Sequence, residues 1–195
     1  MSAHPLTTFV YETFGQGFGD LLLAGYGAEP AGGRRKLYLT ESEAGVETDW
    51  VIELVAKRPP CGDEPLVLAA LFKLLLRRPE LLNHLEFEMG ELLAELRWPD
   101  GPETRWQADE IIVSYAGLLY DKRVDERAGR RASTTSEGGF YHLLPGYVRG
   151  AKSDIAGSLI TNGGVYFDDA FIRGLKGGRV YFAGIDFGPL KTTKR

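Results

Sequence analysis

The stretch HLEFEMGELLAELRWPDGPETRWQADEIIVSYAGLLYDKR, residues 84–123, decides which fold the sequence predicts. Leu85 and Phe87 alternate with glutamates, which predicts a short, half-buried strand. Met89, Leu92, Leu93 and Leu96 then follow at helical spacing and predict one face of a short helix. The turn WPDGP ends that helix, and its second proline suits the first position of a longer one. The predicted order is therefore strand, short helix, tight turn and long helix.

The long helix carries two different faces. Its apolar positions recur at helical spacing and predict a buried stripe: Ala108, Ile111, Ile112, Tyr115, Ala116 and Leu119. The opposite face carries Glu103, Gln107, Glu110 and Ser114. Acidic side chains repel phosphates, whereas Arg105 and Gln107 can attract DNA. This face is thus either a base-contacting surface or a solvated or protein-binding one.

The segments on either side complete the pattern. Upstream, Asp63 suits a helix N-cap, and the helix that runs to about Arg78 is apolar nearly all round, as expected of a central core helix. Downstream, residues 121–139 show no apolar periodicity, which predicts the long basic tip of a hairpin whose second strand covers 139–150. The remaining predictions are a loop at 151–164, a strand at 165–167, a helix from Asp168 to Gly177 or Gly178, and a strand at 179–186.

Three helices closed on one side by a small sheet, with a long hairpin, form the winged-helix arrangement. The predicted fold class is α+β: a winged helix with an N-terminal β-rich extension and a C-terminal strand-helix-strand. In the extension, glycines and β-formers at 6–26 predict irregular strands, and 36–42 and 49–57 predict a hairpin. The expected domains are an extension at 1–60, a winged helix at 61–187 and a tail or linker at 188–195.

Composition excludes several classes of protein. The chain has 195 residues, is 44% hydrophobic and carries a net charge of −4, which argues against general polyanion binding. Charge is uneven, with a balance of −9 over residues 1–110 and +5 over 111–195. A single cysteine and no signal-like or bilayer-length apolar segment predict a cytoplasmic protein without membrane contact.

The segments ELLAELRWPDGPETRWQADEIIVSYAGLLYDKR (91–123) and GGVYFDDAFIRGLKGGRVYFAGIDF (163–187) resemble the plasmid replication initiator A family. The matching positions are Leu92, Leu93, Leu96, Trp98, Ile112 and Gly117. Two features depart from the family pattern: Arg97 stands where a glycine usually precedes the tryptophan, and ETRWQ replaces a Ser/Tyr/Arg pattern. The resemblance implies the first of two tandem winged-helix domains, which contributes to dimerisation and origin contact, with the second domain missing.

Two groups of residues are candidates for binding. The candidate DNA contacts are the polar and cationic residues of the long helix, the basic tip and the C-terminal segment: Arg105, Gln107, Lys122, Arg123, Arg127, Arg130, Arg131, Lys176 and Arg179. The candidate dimer contacts are aromatic residues near the N-terminus: Phe9, Tyr11, Phe14 and Phe18. The alternatives are a solvated loop or linker for the cations and ordinary core packing for the aromatics.

No pattern indicates catalysis. His4, His84 and His142 lie far apart and lack metal-ligand spacing, and GQGFG at 15–19 lacks the lysine of a phosphate-binding loop. We therefore expect no enzymatic activity, no catalytic residues, no metal and no cofactor. The expected function is the DNA-binding and dimerisation domain of a plasmid replication initiator. It would bind double-stranded origin repeats as a homodimer and recruit host replication proteins. The alternatives are a dimerisation-only protein-interaction domain and a small transcriptional regulator.

Overall fold

The structure, a computed structural model, describes residues 4–29, 35–43, 46–56, 60–124, 139–154 and 157–191. Within these ranges the protein is mixed α+β, with five helices and three antiparallel sheets. The helices are α1 (Pro5–Leu22), α2 (Glu64–Arg77), α3 (Met89–Leu96), α4 (Pro102–Ala116) and α5 (Asp169–Lys176). The strands are β1 (Arg35–Glu43), β2 (Val46–Val55), β3 (His84–Glu88), β4 (Leu119–Val124), β5 (Gly139–Tyr141), β6 (Gly146–Asp154), β7 (Gly157–Tyr166), β8 (Arg179–Phe182) and β9 (Ile185–Pro189).

The central segment folds as its pattern predicts. Helices α2, α3 and α4 follow the expected order, with strand β3 between the first two. Helix α2 is buried on nearly every side, as its apolar sequence requires. The predicted stripes of α3 and α4 face the core: Met89, Leu92, Leu93 and Leu96 in α3, and Ala108, Ile111, Ile112 and Tyr115 in α4.

A three-stranded sheet packs beside these helices in the order β3-β7-β6. Strands β6 and β7 form an antiparallel hairpin, and Leu85 of β3 lies opposite Val165 of β7. The predicted loop at 151–164 is therefore wrong, and the predicted strand at 139–150 is divided into β5 and the start of β6. The predicted hairpin with the long tip is also not the one that closes the helices, because β4 and β5 belong to another sheet.

Glycines hid the β6–β7 hairpin from the sequence pattern. A side chain at Gly163 would place its Cβ 2.6 Å from the ring of Phe87 and 2.9 Å from that of Tyr147. A Cβ at Gly164 would lie 2.8 Å from the His84 imidazole. These glycines permit close approach of neighbouring side chains and do not mark a turn.

The second sheet has the order β1-β2-β4-β5. The predicted N-terminal hairpin is confirmed, since Arg35 of β1 pairs with Leu54 of β2 along a continuous register. The pairing predicted across residues 121–138 is also confirmed at its base, where Tyr120 of β4 lies opposite Tyr141 of β5. The candidate residues Arg127, Arg130 and Arg131 lie outside the described residues.

The prediction of irregular strands at 6–26 is wrong, because residues 5–22 form helix α1. His4 caps its first turn by accepting a hydrogen bond from the Leu6 amide at 3.2 Å. Gly15 interrupts the helix with φ +76°, so glycine content masked a helix that bends there. Its buried stripe, which includes Leu6, Val10, Phe14 and Phe18, provides the tertiary packing that overrides weak propensity.

The core joins α1, α2 and the C-terminal elements. Phe18 stacks on Phe171 of α5 with ring centroids 5.2 Å apart, and Phe72 of α2 meets the same ring edge-on at 5.3 Å. Asp168 caps α5 as predicted, because its side chain accepts a hydrogen bond from the Phe171 amide at 2.8 Å. Among the described helices, none is both long and apolar enough to cross a bilayer.

Candidate nucleic-acid interface

Helix α4 contains a single cation, Arg105, and that cation is used inside the protein. Its Nε and Nη2 atoms donate to the two carboxylate oxygens of Asp100 at 2.6 and 2.8 Å, and Nη1 donates to the Ile160 carbonyl at 2.8 Å. The hydrogen bond that Arg105 donates to Asp100 raises the pKa of Arg105, and the side chain is only 16% exposed. The prediction that Arg105 contacts DNA is therefore not supported: a planar guanidinium with both carboxylate oxygens bound fixes the turn before α4 to strand β7.

A second polar contact fixes α4 to strand β6. The buried carboxylate of Asp109 accepts a hydrogen bond from the Tyr147 hydroxyl at 2.7 Å and an ion pair from Arg149 at 3.1 Å. Burial raises the pKa of Tyr147, and the hydrogen bond to Asp109 raises it further. The phenol consequently stays protonated and keeps donating. The sequence pattern did not predict the contact between Asp109 and Tyr147, because an acidic residue beside an apolar stripe has the pattern of a solvent-exposed residue.

The outward side of α4 is acidic and partly apolar. The members of this surface, which we name the α4 face, follow one another at helical spacing: Glu103, Trp106, Gln107, Glu110, Val113 and Ser114. Trp106 is 37% exposed and Val113 is 44% exposed. Within the described part of the chain, Glu103 and Glu110 have no ion-pair partner. The predicted contact Gln107 lies on this face, without a cation beside it to hold a phosphate.

A cavity of about 630 Å3 adjoins the carboxyl-terminal half of α4. Its lining includes Ile111, Val113, Tyr115 and Leu118. Burial raises the pKa of Tyr115 well above its usual value, and its buried hydroxyl has no hydrogen-bond partner among the described residues. The carboxyl-terminal end of the α4 face therefore lies beside this largely apolar cavity.

Two other candidate DNA contacts are held within the four-stranded sheet. Lys122 is only 3% exposed: its Nζ donates to the Ala183 carbonyl at 2.9 Å and lies 3.8 Å from the centroid of the Trp50 ring. That burial argues against the predicted DNA contact of Lys122, because its cation is oriented inward over an aromatic ring and away from an external phosphate. Arg123 is half exposed but pairs with the buried carboxylate of Glu53 and with Asp121.

The C-terminal candidates Lys176 and Arg179 lie on the surface near other cations. Arg173 and Lys176 are exposed on the last turns of α5, and Arg179 follows on β8. Leu190 donates a backbone hydrogen bond to the Gly178 carbonyl at 2.8 Å, which brings exposed Lys191 to the same end of α5. We name this surface the α5–β8 patch, and it also includes the exposed ring of Tyr181: Arg173, Lys176, Arg179, Tyr181 and Lys191.

The close approach of α5 to β8 explains why these cations converge. A Cβ at Gly174 would lie 3.0 Å from Tyr181 Cβ and 3.1 Å from the Arg179 carbonyl oxygen. Arg179 donates from Nε to Asp186 at 2.9 Å; burial alone would raise the pKa of Asp186, but hydrogen bonds from Arg179 and the Gly188 amide lower it. In the described residues, Arg173, Lys176 and Lys191 have no ion-pair partner. Three cations therefore stay available to an external anion.

The predicted dimer contacts divide into two pairs. Phe14 and Phe18 are 1% and 0% exposed within a single chain, which matches the alternative of ordinary core packing. Phe9 and Tyr11 are partly buried against the same core, and the Tyr11 hydroxyl donates to Asp20 at 3.0 Å. Dimerisation through Phe9 and Tyr11 stays a prediction.

Known structures share this fold. The crystal structure of RctB domains 2-3 is similar with a TM-score of 0.55 at 15% identity, covering 80% of this chain and 58% of that one. A structure of selenomethionine derivatives of domain 2 and domain 3 of RctB gives 0.53 at 14% identity, covering 89% and 61%. The chain thus spans about three-fifths of either RctB structure. No protein-family model and no curated protein matches the sequence.

Proposed function

We propose that this chain is a non-catalytic, DNA-binding winged-helix domain of a replication initiator. The observation that carries the proposal is the fold shared with two domains of RctB, a replication initiator. Supporting it, α2, β3, α3, α4 and the β6–β7 hairpin follow the order of a winged helix, with β3 added to the hairpin as a third strand. The resemblance of 91–123 and 163–187 to plasmid initiators agrees with that assignment.

In this proposal the DNA contact is the α5–β8 patch rather than α4. A protein that binds the phosphate backbone needs exposed cations whose charge is not already neutralised. Arg173, Lys176 and Lys191 meet this requirement, and Tyr181 adds an aromatic surface beside them. Basic residues that contact phosphates give affinity and register but carry no base sequence. Sequence selection among origin repeats would accordingly come from another part of the initiator.

The test is a salt series of DNA affinities. A duplex carrying repeats of the replicon's own origin is compared with a scrambled duplex of equal length, using single variants Arg173→Ala and Lys176→Ala. Each lost phosphate contact should weaken binding to both duplexes and reduce the slope of log affinity against log salt by about 1. Lys36→Ala removes an exposed cation from β1 and serves as the matched control. Unchanged slopes in the patch variants, or an equal change in the control, would refute the assignment.

A second candidate function, a protein-interaction domain that dimerises without touching DNA, is favoured by the acidity of the α4 face. In that case the wild-type chain would show no DNA binding for the α5–β8 patch variants to weaken, and the oligomeric state would be the property that surface variants alter. Sedimentation of the Phe9→Ala and Tyr11→Ala variants beside the DNA titration distinguishes the two. The first proposed function also includes dimerisation on plasmid origin repeats and recruitment of host replication proteins.

A further inference from the structure

We infer that the α4 face is a docking surface for a basic amphipathic helix of another protein. The inference does not depend on DNA binding by the α5–β8 patch. Polar contacts hold one side of α4 firmly, whereas the other side exposes Trp106 and Val113. The hydrogen bond from Arg105 to the Ile160 carbonyl fixes the helix to β7, and the hydrogen bond from Tyr147 to Asp109 fixes it to β6. A rigid helix that presents a fixed surface is well suited to recognition.

The composition of the α4 face indicates the chemistry of its partner. Trp106 and Val113 lie seven residues apart, on the same side of the helix, and both expose apolar surface. Tryptophan is among the residues most enriched at binding hot spots. Glu103 and Glu110 repeat the same seven-residue spacing beside them. Apolar side chains flanked by unpaired carboxylates are complementary to a partner with an apolar stripe and lysine or arginine at its edges.

Nearby cations do not cancel this charge. Arg105 is occupied by Asp100, and Arg149 by Asp109, so both guanidinium groups already have a carboxylate. The acidic face therefore disfavours a phosphate backbone. It also disfavours a second copy of the same face, since two copies would bring Glu103 and Glu110 close to like charges.

The dimensions favour a helical partner. The 15 residues of α4 span about 22 Å, so that a helix of four turns can pack along the whole face. The cavity beside Val113 lies at the end of that path and offers space for one large apolar side chain. An anchor that fills a pocket next to a packed helix is the usual arrangement in helix-in-groove recognition.

Trp106 gives a direct readout for the test. The full chain is titrated with an 18-residue amphipathic Leu/Lys helix, with the same peptide carrying Glu for Lys, and with duplex DNA. We expect the lysine peptide alone to blue-shift tryptophan emission, and Trp106→Phe to abolish the shift although Trp50 and Trp98 remain. Glu103→Lys and Glu110→Lys should each raise the peptide Kd about tenfold, as like-charge contacts do. The matched control Glu80→Lys reverses an exposed acid outside α4 and should leave Kd unchanged.

Each contrary result overturns the inference. Equal binding of the lysine peptide to Glu110→Lys and Glu80→Lys would show that only net charge attracts it. A shift of Trp106 emission by DNA or by the glutamate peptide would assign the face to another class of ligand. A change in sedimentation of the free chain upon Glu103→Lys would show that the face binds a second copy instead. Circular dichroism confirms that each variant retains its helices.

Discussion

The α4 face and the α5–β8 patch are both exposed helix surfaces, yet they differ in how the protein uses charge. At α4, the helix's one cation is directed inward to Asp100 and Ile160, and the exposed charges are acidic. At α5, the cations of the last turn stay exposed, and Asp186 neutralises just one neighbour, Arg179. The number of charged residues in a segment of sequence therefore does not show which cations are accessible to a ligand.

The two surfaces also differ in what holds them in place. Helix α4 is fixed by an apolar stripe together with buried polar contacts from Asp109 and Arg105. Helix α5 rests on aromatic packing, with Phe171 enclosed by Phe18 and Phe72. Substitutions beneath the two surfaces should consequently destabilise the protein for different reasons: loss of aromatic packing at α5 and loss of polar contacts at α4.

The largest effect is expected beneath the α5–β8 patch. Phe171→Ala removes a fully buried ring and should lower the free energy of unfolding by about 3–5 kcal/mol, since the lost burial is joined by a cavity. Chemical denaturation measures this loss. Phe140→Ala truncates an exposed phenylalanine and should change stability by less than about 0.5 kcal/mol. A small effect at Phe171 would show that α5 is not anchored by its aromatic underside.

A smaller loss is expected beneath the α4 face. Asp109→Ala leaves the Tyr147 hydroxyl and the Arg149 guanidinium without their shared acceptor, which should lower the free energy of unfolding by about 2 kcal/mol. The adjacent Glu110→Ala removes an exposed carboxylate and serves as the control in the same denaturation series. Equal stabilities for the two variants would contradict a structural role for the Asp109 carboxylate.

The sequence predicted the parts of this fold in which apolar spacing and burial agree. The stripe from Met89 to Leu96 and the cap at Asp168 were found because each is a local pattern. Helix α1 was missed because Gly15 has a positive φ at a kink inside the helix, and the β6–β7 hairpin was missed because Gly163 permits tertiary packing that no local pattern records.

The candidate site was only partly predictable for a related reason. Lys176 and Arg179 were proposed as DNA contacts because no acid neighbours them in sequence; folding leaves both on the surface, and their contact with DNA stays a prediction. The sequence could not show how Arg105 and Lys122 are held, since the carbonyl groups to which they donate, those of Ile160 and Ala183, lie 55 and 61 positions away. The exposure of Trp106 could have been found from its helical spacing to Glu103 and Glu110.

Adding cations to the α4 face tests whether its acidic charge is what distinguishes it from the α5–β8 patch. The double variant Glu103→Lys/Glu110→Lys should bind DNA more tightly than wild type, because two repulsive carboxylates become ammonium groups that can contact phosphates. Its slope of log affinity against log salt should steepen by about 1 to 2. Fluorescence anisotropy with a labelled duplex measures both values. Unchanged DNA affinity would contradict the view that the acidic charge of the α4 face is what keeps this helix from contacting DNA.

The smallest expected effect concerns the turn that orients α4. The hydrogen bond from Arg105 holds the pKa of Asp100 below its usual 3.8, so the pair stabilises the fold above about pH 4. This contribution is lost as pH falls through the lowered pKa of the folded state. Asp100→Asn should therefore flatten the acid limb of stability slightly, with Glu80→Gln as a control at an exposed carboxylate that has no such partner among the described residues. An identical acid limb for Asp100→Asn and wild type would mean that the pair positions α4 without stabilising it, because solvent screens an exposed ion pair.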